Sequence, residues 1–593
     1  MHLQRTSPLS LEYFSNQYLA GEHRGRVSEK MTSMLVYRET LHRFFVLEFF
    51  LLILLLILVP KSVLHLSGSG SVLFLQPLRD ERKPETHTDT TTSEQEQKFA
   101  FAGTSKPQES YTGPRFHENT DALLRQVESD VYHTRQFVLA QLRRLQTQAA
   151  SETTRKNFIN VIEDVKHYFS VTQSDLWRFR KESGLHAWQK SEAEKLTSLV
   201  QNRIHALQNP ADCKSAKKLV CNLPVAKGRG IGSQLHHFSY CFLAAYGTQR
   251  TLIVNERKSK MEFSTGTYFL PLSENCTCNN RSIASIAWPG TKDTHVVSFP
   301  DSDKPKPRPN YFPRSVPRDF GQRLVKVHGD PFAWWMGQFF KYAMRMTEGF
   351  QEYVEKLGAR LGFESPIVGI QVRRTDKLRH DSRFIELEEY MEVVDDFFDD
   401  LEVRGTNVTT RRIYLATDDP GVLQEAKKFP NYKFVFNEDS VASASLGRRG
   451  SVDNMKYLMA DILFLSRSDF LVCGMSSNIC RLAYELMQTL HSDATRKLLS
   501  LDLPYCFHFQ GAHEVEARFP HTPRSGREIA LQKGDRVVRS VHYYSRHRNY
   551  HDGFWHGTNL RTGKSGFYPI YKTVEVQSLA DTPSFDWIDR REE

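Results

Sequence analysis

From Pro366 to Leu490 the sequence switches repeatedly between strand-like and helix-like hydrophobic spacing, and few folds accept such a pattern. Pro366–Val372 reads as a strand, Glu386–Val403 as a helix, "RRIYLAT" (411–417) as a strand, and a helix follows from Gly421. "YKFVFN" (432–437) is then a strand, Asn454–Ser466 a helix, "DFLVCG" (469–474) a strand and Asn478–Leu490 a helix. Strands alternating with helices predict a Rossmann-type α/β arrangement, a parallel sheet with helices on both faces. In such sheets ligands bind beyond the carboxyl ends of the strands.

Those ends carry chemistry. The first strand runs into Arg373, Arg374, Asp376 and Lys377, the second into Thr417, Asp418 and Asp419, and the last into Cys473, with Ser476 and Ser477 opening a helix. An arginine fork grips phosphate with two hydrogen bonds, and a helix N-terminus adds backbone N–H donors for the same charge. The clustering predicts a diphosphate ligand. A structural ion pair between one arginine and Asp418 or Asp419 is the competing reading.

At 593 residues the chain has room for several domains. An apolar block, Phe44–Val59, is broken only by Glu48 and preceded by Arg38 and Arg43. It predicts a single-pass signal anchor over 44–64, with residues 1–43 in the cytosol and the rest lumenal. A polar linker (65–115) leads to helical spacing over 116–210, expected to form stem helices. These either pack on the catalytic body or pair between subunits. A less regular first α/β segment spans 211–365, and 366–504 holds the Rossmann-like sheet. From "ALQKGDRVVRS" through "GFWHG" to "TGKSGFYPIYKTVEV" (505–580), short strands and glycine turns resemble a Src-homology 3 barrel, followed by a tail at 581–593.

All eight cysteines (Cys213, Cys221, Cys241, Cys276, Cys278, Cys473, Cys480 and Cys506) follow the anchor, which suits disulfides in an oxidising compartment. Sequons at Asn275, Asn280 and Asn407 make these residues N-glycosylation candidates. The +10 charge, from 79 Lys+Arg against 69 Asp+Glu, suits an anionic ligand, but nothing in the spacing indicates nucleic acid. "GRGIG" (228–232) lacks a Walker ending and reads as a tight turn. "DSD" (301–303) sits in a proline-rich loop and His236-His237 has no third ligand, so no metal is expected.

Taken in order, "KGRGIGSQLHH", "VHGDP", "VRRTDK", "EEYM", "YLATDDP", "DFLVC" and "GFYPIYK" resemble the eukaryotic Golgi α-1,6-fucosyltransferases, which attach core fucose to N-glycans. The resemblance implies a GT-B-like, inverting enzyme on the Golgi membrane that uses GDP-fucose without metal or other cofactor. The acceptor would be the 6-hydroxyl of the innermost GlcNAc of an N-glycan, and the stem helices would give a homodimer. Carried over by position, Arg373 and Arg374 hold the diphosphate, with Asp376, Tyr390, Asp418, Asp419, Asp461 and Ser477 in the donor pocket. Asp381 stands at the base position, where the family has glutamate; His380 is its rival, and Lys377 orients the carboxylate. Lys227, Asp303, Asn478, Asp502 and His551 are implied acceptor contacts. Implied disulfides are Cys213–Cys276, Cys221–Cys241 and Cys473–Cys480, leaving Cys278 and Cys506. The chain departs from the family at Gln371, where a donor-contacting histidine is expected, and at Arg229 and Ser233, which replace a cysteine pair.

Overall fold

The computed structural model describes residues 120–222, 230–255, 267–276, 284–302, 304–379, 382–444, 452–507, 509–546 and 551–589, excepting the side chains of Arg379, Val452 and 544–546. All of them belong to one compact unit. No described helix is long and apolar enough to cross a membrane, and the anchor expected over 44–64 lies outside the described residues.

Three long helices come first: α1 (Thr120–Gln148), α2 (Glu152–Glu182) and α3 (Leu185–Gln208). Ser151 caps α2 by accepting the Thr154 N–H at 3.1 Å. Gly184, at φ 77°, takes the left-handed turn that separates α2 from α3. One side of this group covers the remaining chain: Arg125 Nη2 donates to the carbonyls of Val325 and Lys326, and Arg135 pairs with Asp396 at 2.6 Å. Leu123, Tyr168 and Phe179 stay exposed elsewhere on α1 and α2.

The first α/β half contains β1 (Lys218–Asn222), α4 (Ile231–Gly247), β2 (Thr251–Asn255), β3 (Ile286–Ala287), β4 (Val296–Phe299), β5 (Ser315–Pro317), α5 (Arg318–Val327), α6 (Pro331–Ala343) and α7 (Glu348–Leu361). Its parallel sheet has the order β2-β1-β4-β3. Asp330 caps α6 through the Ala333 N–H (3.2 Å), with Pro331 at the first helical position.

The second half contains β6 (Ile367–Val372), α8 (Leu387–Val403), β7 (Arg411–Thr417), α9 (Gly421–Ala426), β8 (Tyr432–Val435), α10 (Glu438–Ser443), α11 (Val452–Arg467), β9 (Phe470–Cys473), α12 (Asn478–Met487) and β10 (Leu498–Ser500). The order β10-β9-β6-β7-β8 is parallel throughout. β6 is buried along its whole length, as a central strand covered on both faces must be. Each of its buried aliphatic side chains contributes roughly 2 kcal/mol. A Cβ at Gly369 would sit 2.8 Å from Ser468 Oγ, so glycine permits the close approach of the segment following α11.

The chain then forms β11 (Glu514–Ala517), β12 (Arg536–Arg539), β13 (Phe554–Asn559), β14 (Ser565–Pro569) and β15 (Thr573–Glu575), an antiparallel sheet of order β14-β13-β12-β11-β15. The final elements leave that sheet. β16 (Ser578–Ala580) pairs with β5 of the first half, and α13 (Asp586–Asp589) buries Ile588 in the same core as α3, with Arg203 held by Asp589 at 2.7 Å. Residues 578–589, on both sides of the boundary read at 580, pack on the catalytic body because Leu579, Phe585 and Ile588 supply apolar surface to it.

Candidate active site at the strand ends of the second sheet

The pairing register fixes the site. Val372 is aligned with Thr417 and Gln371 with Cys473, so the residues leaving β6, β7 and β9 emerge side by side. β6 is also the point from which the chain winds outward in both directions, the position where such sheets open a crevice. Ser477 is the buried N-cap residue of α12, with a hydroxyl that makes no capping bond, so the N-terminus of a ten-residue helix lies at the same level.

The two arginines divide here. Arg373 is partly exposed and reaches Asp418, Thr375 Oγ1 (3.0 Å) and Asp376 Oδ1 (2.5 Å). Asp418 also accepts the Arg374 backbone N–H at 2.9 Å and the Thr375 N–H at 3.3 Å, together with the Thr375 hydroxyl. A carboxylate therefore occupies a cradle of one guanidinium, one hydroxyl and two backbone donors, a set that also suits phosphate oxygens. Arg374 is 4% exposed. Its fork is taken by both oxygens of Glu425 and by the Ile385 carbonyl at 2.9 Å, and its guanidinium lies 4.2 Å from the Phe384 ring centre. Burial works against its charge, but the bonded Glu425 carboxylate holds its pKa above the ordinary value. The ion-pair reading thus describes both arginines as they stand, with Glu425 the principal partner of Arg374 and Asp419 more distant at 3.7 Å.

The other candidates separate by depth. Tyr390 is buried on α8, where burial pushes its hydroxyl pKa up. Asp461 lies on α11, accepting from Tyr414 Oη at 2.6 Å and Ser440 Oγ at 2.5 Å; burial raises its pKa to about 7 despite those bonds. Asp419 accepts the Gly421 N–H at 2.9 Å at the start of α9. Asn478, the first residue of α12, lies where α4 arrives: a Cβ on Gly232 would come within 2.9 Å of its own. The starts of the two helices, one from each half, therefore meet.

Asp502 is buried and His551 is half-buried. Asp502 is 0% exposed and holds the turn after β9, accepting the N–H groups of Leu503 (2.5 Å) and Ser476 (3.3 Å) and the Ser500 hydroxyl (3.2 Å). Three donors, the Ser476 and Leu503 N–H groups and the Ser500 hydroxyl, hold its carboxylate to the turn. His551 hydrogen-bonds the Ser500 carbonyl at 2.7 Å, and burial lowers its pKa to about 4. The terminal sheet thus leans on the strand β10 that precedes Asp502. A cavity of about 350 Å³ opens by the first sheet, lined by Asn222, Trp288, Ser298, Ser302, Lys304 and Lys306 among others.

Lys377 lies on a short 3-10 turn, Asp376–Arg379. Lys227, Asp303, His380, Asp381, Cys278 and Asn280 fall outside the described residues. All three implied disulfides are present, and Cys506 is a buried free thiol. The pairs Cys221–Cys241 and Cys473–Cys480 each tie a strand to the helix that follows it. His237 shares a cluster with the first pair, whose sulfurs are bonded to each other. Asn275 and Asn407 are exposed. Sequence reasoning missed Glu425, Thr375 and Ser440. Only adjacency in space gives them meaning. Gln371 Oε1 is buried with no hydrogen-bond partner among the described residues.

A family model described as the N- and catalytic domains of alpha-(1,6)-fucosyltransferase matches residues 72–506. The Drosophila melanogaster alpha-(1,6)-fucosyltransferase is 39% identical over 429 residues, 72% of this chain and 67% of that protein. The Caenorhabditis elegans alpha-(1,6)-fucosyltransferase is 35% identical over 387 residues, 64% of this chain and 67% of that protein. Among solved structures, the fucosyltransferase NodZ from Bradyrhizobium aligns at 13% identity over 45% of this chain and 92% of its own, with a TM-score of 0.28, too low to bear on the fold.

Proposed function

Because the chain belongs to the alpha-(1,6)-fucosyltransferase family, we propose that it moves fucose from GDP-fucose to the 6-hydroxyl of the innermost GlcNAc of N-glycans, the core position. The observation that carries this reading is the side-by-side exit of β6, β7 and β9, which gathers Arg373, the Asp418 cradle and the N-terminus of α12. GDP-fucose brings a diphosphate to that level. Its oxygens exchange with the Asp418 carboxylate for Arg373, and the N-terminus of α12, with the Ser477 hydroxyl, adds donors. As the bond from fucose C1 to the diphosphate breaks, the leaving GDP gains negative charge, which these fixed groups stabilise without a metal. The acceptor 6-hydroxyl attacks C1 from the opposite face, inverting it, while Asp381 takes the hydroxyl proton; His380 is the alternative base. Lys377 orients that carboxylate. Asp461, Tyr390, Asp376 and Asp419 complete the donor pocket, the unpartnered Gln371 amide oxygen standing beside it.

The acceptor side is assigned to Lys227, Asp303, Asn478, Asp502 and His551. The cavity beside Asn222 and Trp288 supports it with a mixture of aromatic and amide groups that suits a sugar. In this reading the two halves form a GT-B-like pair, and the terminal antiparallel sheet is a Src-homology 3-like barrel. Exposed Leu123, Tyr168 and Phe179 support pairing of two chains through the stem helices. An anchor over 44–64 would hold the enzyme on the Golgi membrane with its catalytic part in the lumen.

Full-length chain, GDP-fucose and a biantennary glycopeptide, incubated with EDTA and read by mass spectrometry, test the proposal. One deoxyhexose on the innermost GlcNAc is expected. Addition elsewhere overturns the acceptor assignment, activity restored only by manganese overturns metal independence, and no transfer overturns the reaction.

A further inference from the structure

Glu425 has no task in the reaction just described, yet it makes the best-formed ion pair at the charged strand end. Its carboxylate takes both terminal nitrogens of Arg374 (Nη2 at 2.9 Å), a two-bond geometry that fixes the guanidinium plane as well as its charge. Arg374 Nη2 also donates to the Ile385 carbonyl at 2.9 Å, and Phe384 covers the guanidinium face at 4.2 Å. Arg374 begins a loop that Phe384 and Ile385 end. Its backbone N–H is fixed on Asp418 and its side chain on Ile385, so a single residue joins both ends of the loop. Between those ends run the turn carrying Lys377, whose carbonyl accepts the Ser382 N–H at 3.3 Å, and Arg383, paired with Glu389 at 2.7 Å. By sequence the loop also holds Asp381.

We propose that Glu425 is a positioning residue for fucose transfer: by gripping Arg374 it fixes both ends of the 374–386 loop and so sets where Lys377 stands. The proposal rests on the reading that this loop supplies the base. Glu425 serves no donor contact in this scheme, because the fork it grips is already filled by protein partners. Reach is the sensitive quantity, since Asp381 is one methylene shorter than the glutamate of the related enzymes. A carboxylate with less reach tolerates less drift of the backbone that carries it.

Full-length wild type, E425Q and E425D would be compared by steady-state transfer kinetics, GDP titration calorimetry and thermal melting. E425Q is expected to lower kcat on the order of 10²-fold, the cost of misplacing reacting groups by about 1 Å. GDP affinity should hold, and E425D should recover part of kcat. Unchanged kcat in E425Q with a lowered melting temperature would make the pair merely structural and overturn the proposal. So would parallel losses of kcat and GDP affinity, which would assign Glu425 to the donor pocket. If E425Q does not fold, R374K, which keeps the charge but loses the fork, is read by the same criteria. No transfer by the wild type overturns instead the reaction on which the proposal rests.

Discussion

The strands of the second sheet run out into charge, with Arg373 and Arg374 leaving β6 and Asp418 and Asp419 leaving β7. In the first sheet the last residues of β1 and β2 are amides: Asn222 donates to Ser298 Oγ at 2.9 Å and to the Phe299 carbonyl at 3.0 Å, and Asn255 donates to Asn222 at 2.9 Å. Both sheets are parallel and both bolt one strand to its following helix by a disulfide. One architecture thus ends in two different sets of side chains. Fixed charge suits a diphosphate, whereas neutral donors and acceptors beside an aromatic ring suit a sugar.

The contrast breaks most visibly at Arg373. R373A is expected to cut kcat by about 10²–10³-fold, the loss seen when one preorganised donor to a developing anion is removed, and to weaken GDP binding. Asn222→Ala should leave GDP binding intact. Calorimetry with GDP and glycopeptide turnover check both, and GDP affinity retained in R373A would mean the charged strand ends are not the donor cradle.

A second difference can be titrated. Asp461 changes charge between pH 4 and 7, its pKa raised by burial to about 7, whereas the amides Asn222 and Asn255 that end β1 and β2 carry no titratable group. A carboxyl whose pKa is higher when folded favours the folded state below its unfolded pKa of about 4, and that stabilisation is lost as pH rises through about 7. Asp461→Asn should therefore flatten the fall in stability between pH 4 and 7 by on the order of a few kcal/mol, measured by denaturant unfolding at several pH values. An unchanged slope would mean that Asp461 is ionised throughout that range.

The smallest expected difference lies in the disulfides. Cys221–Cys241 encloses 20 residues of separation and Cys473–Cys480 only 7. Loop entropy predicts that losing the first costs about 1 kcal/mol more than losing the second. Equal losses for the two double Cys→Ser variants would place the stabilisation in the native state rather than in the unfolded chain.

The strand–helix alternation from β6 to α12 was legible because those elements carry strong apolar runs; β7 fills the stretch 411–417 read from sequence. The stem was legible only in part. The helical spacing over 116–210 does not mark where α2 begins and ends, since only Ile162, Ser170 and Ser174 are buried along it and its polar flanks hide its length. β3, β5 and β10 have two or three residues each, too short to leave a period. At the site, Arg373 and Asp418 were visible as neighbours because parallel pairing aligns consecutive strand ends. Glu425 was not, because it lies 51 residues from Arg374 with no motif between them to suggest contact. Asp502 carried no sign that it would be folded beneath the turn at Ser476, which only the return of β10 beside β9 brings about.

The return of β16 to β5 means that the terminal sheet is joined to the catalytic body through both of its ends. Topologically it is an insertion and not an appendage. Cutting the chain after β10 would strip away not only the five antiparallel strands but also Leu579, Phe585 and Ile588, which belong to the catalytic core. Exchanging this module between related enzymes therefore requires two junctions, one before β11 and one before β16. The last described helix, α13, is thus held to the catalytic body at α3 and not to the sheet that precedes it in sequence.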